Sequence, residues 1–312
     1  MSTRLTPTIA LLMTLPPLLW AGNAVVGRAL VGSVAPLELN AMRWTLAFVL
    51  LLPLGWRLFA RPAEILARWK HLAMLGLLGV GSYNALQYAA VHTSTPLNVT
   101  LIAASLPLFM LVVGALFHAT PPRRAQLAGA AFSLVGVLLV ISRGHVETLL
   151  QIALLPGDLL MLLATALWAV YSWMLAAPPP SMRGEGRPPW DWSQLLLVQI
   201  LFGGLWAWIG AGAEALVAPQ PVRWSPAVIA ALVYVAVGPS LIAYRCWGLG
   251  VSTAGPAVAA FFSNLTPVFA GVLQAALLGE PPRWYHAAAF ALIVAGIVVS
   301  QTGLRPAQKV PG

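Results

Sequence analysis

Charged and amide side chains set inside long apolar runs are the residues of this sequence with chemistry to offer. Arg43 lies well within the apolar stretch 36–56. Asn40, Arg43, Trp44 and Ala47 share one helical face through their three- and four-residue spacing. An ionisable group in such a stretch faces protein or a watery cavity, because lipid will not solvate it. Arg43 therefore reads as a cavity-lining or gating cation, or as a structural one bonded to helix-end carbonyls. Glu38 stands one turn earlier. It could pair with Arg28 or Arg43, carry a coupling proton, or simply be a first-turn acid favoured by the helix dipole. Asp158 follows Pro156-Gly157 and opens another apolar run. That is the position of a helix cap, with a proton relay as the alternative.

A polar and aromatic stripe runs through Tyr83, Asn84, Gln87 and Tyr88. Amides facing lipid would be wasted, so the stripe is expected to face inward. There it could hydrogen-bond the polar ends of a solute while rings hold its apolar body. Trp20 and Asn23, Asn98 with Ser105, Trp168 and Tyr171, and Asn264 with Gln274 offer the same chemistry on other runs. Hydrogen bonding between membrane helices is the competing use of each. Trp20, Asn23, Arg43, Trp44, Tyr83, Asn84, Gln87, Tyr88, Asn98, Trp168, Tyr171 and Asn264 form the expected solute path. Glu38 and Asp158 are the candidates for proton coupling or gating.

Other chemistry is missing from the sequence. It has no phosphate-binding Gly-Lys-Ser/Thr loop, so ATP does not drive this chain. The five histidines lack metal-ligand spacing, and Cys246 is the one cysteine. No nucleophile stands beside an evident base. The expectation is no catalytic centre, no metal and no cofactor.

The elements that must hold these side chains are apolar helices. Of the 312 residues, 60% are hydrophobic and 8% charged, with mean hydropathy +0.85. A soluble domain carries roughly 25% charged residues. One core could not hide this much apolar surface, so the outer surface needs a bilayer as solvent. Ten apolar segments are readable: 8–30, 36–56, 71–91, 96–118, 125–142, 156–176, 193–212, 226–248, 254–278 and 284–303. Each is expected to be helical, since backbone groups in lipid must be satisfied internally. The connections at 31–35, 92–95 and 249–253 are short and demand antiparallel neighbours. The loop 177–192, AlaProProProSer followed by MetArgGlyGluGlyArgProPro, reads as an exposed linker. Pro16-Pro17, Pro107, Pro239 and Pro267 are expected kinks. Trp190, Trp192, Trp206, Trp208 and Trp224 are expected in an aromatic belt.

The net charge of +9 does not point to nucleic acid, because the basic residues sit between apolar runs. With the N-terminus inside, cytoplasmic loops hold eleven Lys and Arg and the opposite side holds three, Arg143, Arg223 and Arg283. That bias places both termini in the cytoplasm of a cell inner (plasma) membrane protein. The partners expected are the lipid bilayer and a small-molecule substrate.

The sequence also repeats itself at an offset of 160. Val91, Thr93 and Pro96 recur as Val251, Thr253 and Pro256. Pro107 and Phe109 recur as Pro267 and Phe269, Pro121-Pro122-Arg123 as Pro281-Pro282-Arg283, and Gly136 as Gly296. The division is 1–150 and 151–312, five helices each. An odd number of crossings turns the second half upside down, which is the plan of many secondary transporters.

Four stretches resemble the EamA branch of the drug/metabolite transporter superfamily. They are Leu19-Trp20-Ala21-Gly22-Asn23, Pro36 through Arg43-Trp44, Gly157-Asp158-Leu159 through Leu167-Trp168-Ala169, and Leu265-Thr266-Pro267-Val268 through Gly279-Glu280. His118-Ala119-Thr120 departs from the Gly-Glu that often ends the equivalent first-half helix. The resemblance implies an all-α fold of ten transmembrane helices in inverted repeats around a central cavity. It also implies export or exchange of amino acids, metabolites or drugs. A membrane enzyme acting on lipid and a passive channel remain the alternatives.

Overall fold

The computed structural model describes residues 5–94, 96–151, 153–278 and 283–302. Among them there is helix and loop but no strand. The long helical runs are α1 (Pro7–Ala29), α2 (Pro36–Gly55), α3 (Trp69–Leu75, Gly76–Ser82 and Tyr83–Thr93) and α4 (Pro96–Ala104 and Leu106–Phe117). After them come α5 (Arg124–Ile141), α6 (Pro156–Ala176) and α7 (Trp192–Val217). The last are α8 (Pro226–Val235, Ala236–Ile242 and Ala243–Ala254), α9 (Pro256–Ser263 and Thr266–Leu278) and α10 (Trp284–Gln301). Eight helices among the described residues are long and apolar enough to cross a membrane, and the two pieces of α4, bent by 42°, make a ninth if taken as one span. The polar stripe of α3 keeps it out of that set.

Proline opens α1, α2, α4, α6, α8 and α9. The first helical turn tolerates the missing N–H, and the fixed φ starts the helix. Asp191 caps α7 by accepting from Ser193 N (2.7 Å) and Gln194 N (3.0 Å). Burial raises the pKa of this carboxyl, but the Ser193 and Gln194 hydrogen bonds and the Arg245 charge outweigh it and hold it below the ordinary value. Arg245 itself is exposed and lies over the Trp192 ring, 5.1 Å from its centroid.

Packing pairs α2 with α7 and α5 with α10. It sets α3 and α4 against α6, and α8 and α9 against α1. The α5–α10 seam closes through small residues: a Cβ on Gly129 would stand 2.5 Å from Gly296 O. Such close approach is how helices bind when lipid removes the hydrophobic drive.

Two seven-residue stretches, Gly76–Ser82 in α3 and Ala236–Ile242 in α8, are π-helical. They stand 160 residues apart, the spacing of the sequence repeat. In α8 the cause is Pro239, which offers no N–H to Val235 O. Ser240 Oγ donates to that carbonyl instead, at 2.7 Å. In α3 the stretch is glycine-rich, and Ser82 Oγ donates to Leu77 O at 2.7 Å. Both serines reach back five residues.

The loop between α6 and α7 is exposed along most of its length, as expected, but it is anchored to the body at two points. Met182 and Trp190 are buried with Leu58, Ile65, Leu72 and Val198. Arg68 donates to Ser181 O (2.8 Å) and Gly186 O (2.9 Å), and Trp190 Nε1 donates to Glu64 Oε2 (2.8 Å). Its glycines and prolines suggest only a linker, but an arginine of the α2–α3 loop binds its free carbonyls. Trp190 therefore leaves the expected belt. Trp206, Trp208 and Trp224 stay exposed on the outer surface. The turn expected at 249–253 is helical, and the chain reverses at Gly255, whose φ of 90° suits glycine. Gly279-Glu280 and Pro281-Pro282 fall outside the described residues, as do residues 1–4 and 303–312 with the basic side chains counted there.

Candidate functional site

Rings from both halves of the chain meet in the bundle centre. Trp168 of α6 touches Trp20 of α1 (5.5 Å between centroids), Tyr83 of α3 (5.0 Å), Tyr171 (5.0 Å), and Tyr244 and Trp247 of α8 (5.4 and 5.6 Å). Trp44 of α2 joins through Tyr244 at 4.9 Å. Several of these contacts are edge-to-face, the geometry that ring quadrupoles favour. Trp168, Tyr171, Tyr244, Trp247 and Trp44 are buried, while Trp20 and Tyr83 keep partial exposure. At the cluster the buried rings pack against one another, and Trp20 and Tyr83 stand partly exposed at its edge. Two recesses lie elsewhere. One of about 470 Å³ is lined by Trp56, Arg57, Arg61, Trp190 and Asp191 among others. The other, of about 210 Å³, is lined by Gly22, Val25, Val26, Tyr234 and Leu273.

Beside the rings lies a polar clasp. Arg43 is 1% exposed. Its Nε and Nη2 both donate to Ser240 Oγ, at 3.0 and 2.9 Å. Its Nη1 donates to Tyr88 OH (3.2 Å) and Asn23 Oδ1 (3.5 Å). Tyr88 OH also donates to Asn23 Oδ1. The guanidinium lies over the Trp44 ring, 5.1 Å from the centroid. Trp20 Nε1 donates to Pro239 O at 3.3 Å. So α1 and α2 grip the π-helical stretch of α8, and α3 braces the clasp through Tyr88. Arg43 binds neutral side chains rather than helix-end carbonyls, and no carboxylate among the described residues pairs with it. The ion pair among the described residues is Arg61–Glu64, in the α2–α3 loop.

Glu38 pairs neither with Arg43 nor with any other described cation. Its backbone N–H and that of Leu37 donate to Glu214 Oε2 (3.1 and 2.9 Å), so Glu214 supplies the anion at the start of α2. The Arg28 side chain is outside the described set. Asp158 accepts from Ser94 Oγ, from Asn98 Nδ2 (2.8 Å) and from Leu155 N (2.8 Å). It is a buried cap that ties α3 and α4 to the start of α6.

The expected path thus divides. Trp20, Asn23, Arg43, Trp44, Tyr83, Tyr88, Trp168 and Tyr171 form one contiguous body. Asn84 is buried on the same helix, and Gln87 stays partly exposed there. Asn98 belongs with Asp158. Asn264 bonds Ser133 Oγ at 2.8 Å, joining α9 to α5. Ser240, Tyr244 and Trp247 were missed. Their three- and four-residue spacing marks one face of α8, a signal hidden in the mostly apolar run around them.

The sequence model of the EamA-like transporter family matches residues 7–142 and 155–302. A protein of Archaeoglobus fulgidus, named an uncharacterized transporter, is 27% identical over 93% of this chain and 96% of its own length. The aromatic amino acid exporter YddG of Ancylobacter novellus is 24% identical over 91% of this chain and 93% of its own. A solved crystal structure with 23% identity superposes with a TM-score of 0.72, covering 94% of this chain and 96% of the other. That likeness concerns the fold.

Proposed function

The chain belongs to the EamA-like transporter family of multi-pass membrane proteins, and from that premise we propose that it is a secondary transporter of small organic solutes, amino acids and related metabolites foremost. Ten crossings form two inverted five-helix halves, 1–150 and 151–312. They expose one central site alternately to either side of the inner (plasma) membrane, with both termini cytoplasmic and export the working direction. The observation that carries this reading is the ring cluster. It draws Trp20, Trp44 and Tyr83 from one half and Trp168, Tyr171, Tyr244 and Trp247 from the other. A site shared between halves changes its exposure when they rock, whereas a site within one half would not.

Three features support it. The two π-helical stretches stand at the repeat spacing. Each half packs on its counterpart elements. A relative of similar length is named an aromatic amino acid exporter. Flat aromatic walls with a polar clasp at one edge suit a solute with an apolar body and a polar head. In the closed form the rings occupy that place themselves. The carrying solute therefore separates Trp20 and Tyr83, the two partly exposed rings, from Trp168.

Proteoliposomes loaded with labelled amino acids and metabolites test the proposal. Saturable flux with counterflow is expected, reduced by Trp168→Ala. Flux that never saturates would indicate a channel, and no flux across a broad panel would refute carriage.

A further inference from the structure

One face of α2 has hydrogen-bonding capacity that the protein itself does not use. Asn40 is 1% exposed, and neither its Nδ2 nor its Oδ1 has a partner. Trp44 is fully buried, and its Nε1 has none either. Arg43 lies between them with its positive charge unmatched by any described carboxylate. Positions 40, 43 and 44 point the same way on a helix. Burying an amide without a partner is unfavourable, and burying a cation without a counter-charge more so. Packing alone does not explain why all three sit together.

The geometry of Arg43 shows what is missing. Its Nε and Nη2 form the two-donor edge of the guanidinium, which matches the two oxygens of a carboxylate. Here a single neutral oxygen, Ser240 Oγ, sits in that edge and takes both bonds. Ser240 has its own donor bond to Val235 O and does not depend on Arg43 to be satisfied. A carboxylate would bring two acceptors and a negative charge to the same edge. The Trp44 N–H and the Asn40 amide add donors, and Asn40 Oδ1 adds an acceptor for an ammonium group. The rings of Tyr244 and Trp168 continue from Trp44 toward the apolar centre.

We propose that the Asn40–Arg43–Trp44 face is the receptor for the carboxylate of the transported solute. The incoming carboxylate displaces Ser240 from Arg43 and frees α2 from the π-helical stretch of α8. Binding and unlatching are then one exchange of hydrogen bonds, with no covalent step. The inference rests on the transporter reading and narrows its substrates to carboxylate-bearing solutes with an apolar body.

Four probes that share a phenyl ring separate the possibilities: phenylalanine, 3-phenylpropionate, phenylalaninamide and phenethylamine. Binding to the full chain is read by tryptophan fluorescence, and flux is read in proteoliposomes. The two carboxylates are expected to bind at least ~10-fold more tightly than the other two, as when a site is built around a group the analogue lacks. Arg43→Gln should bring the carboxylates down to the level of the amide, with Arg43→Lys in between. Ser240→Ala should tighten carboxylate binding, because it removes the competitor. A purely structural Arg43–Ser240 bond predicts the opposite for Ser240→Ala. Should Arg43→Gln not fold, the wild-type probe series and Ser240→Ala still decide. Equal binding of phenylalanine and phenylalaninamide, or weaker carboxylate binding by Ser240→Ala, would overturn this inference and leave the transporter reading standing. Neither binding nor flux with any probe would overturn both.

Discussion

The π-helical stretches of α3 and α8 answer the same need by different means. In α3 the helix is loosened by glycine and then packed hard. A Cβ on Gly76 would lie 2.6 Å from Gly203 N and 2.7 Å from Gln199 O, and one on Gly203 would lie 2.3 Å from Gly76 O. The contact is backbone against backbone, with no slack. In α8 the helix is loosened by Pro239, and side-chain hydrogen bonds from Arg43 and Trp20 hold it. A Cβ on Gly238 would meet side chains alone, a Leu19 methyl at 3.2 Å and the Tyr234 ring at 3.6 Å. A dry glycine seam separates only by losing van der Waals contact that nothing replaces. A hydrogen-bonded clasp can trade one acceptor for another. On the proposed mechanism, α3 with α7 is the fixed seam and α8 with α2 the element that lets go.

The strongest way to break that assignment is Gly203→Val. The added carbons must push α3 off α7, and a loss of about 3 kcal/mol is expected, read as lost folding yield or thermal stability in detergent. Near-normal stability would show that this seam has slack after all. Tyr244→Phe comes next. The Tyr244 hydroxyl, carried on α8, donates to Gly79 O within the α3 stretch. Removing it deletes a buried hydrogen bond between the two stretches and should cost up to about 1.5 kcal/mol. Asp158→Asn weakens a cap far from both stretches. It should cost about 1 kcal/mol and leave the pH dependence of flux unchanged between pH 6 and 8. Loss of that dependence would move proton coupling to Asp158. Gly238→Ala is the mildest and completes the contrast with Gly203. A change below ~1 kcal/mol is expected, since a flexible leucine can yield where a backbone cannot.

The helices were largely legible because their signals are local. Proline at six helix starts, apolar runs of spanning length and the 160-residue echo all lie in the order of residues. The inward orientation of Tyr83, Asn84 and Tyr88 followed from the cost of amides in lipid. The site was legible only in part. Trp20, Arg43, Tyr88 and Trp168 were readable as polar or aromatic outliers, and they do meet. Asn98 and Asn264 carry the same chemical signal but serve the α4–α6 and α5–α9 seams. An amide in an apolar helix looks alike whether it binds a neighbouring helix or a solute. Met182 and Trp190 were misjudged because Pro- and Gly-rich composition speaks to the backbone and not to what covers it.

What the order of residues determined alone is the membrane habit, the starts of most helices and the doubling of the chain. These follow from solvation of the backbone and from proline geometry, which act within a few residues. The partner of each buried group was decided only in three dimensions. Ser240 for Arg43, Ser133 for Asn264 and Glu214 for the start of α2 lie 197, 131 and 176 or more residues away. No local rule spans such distances. The choice belongs to how the helices pack, because that sets which donor reaches which acceptor.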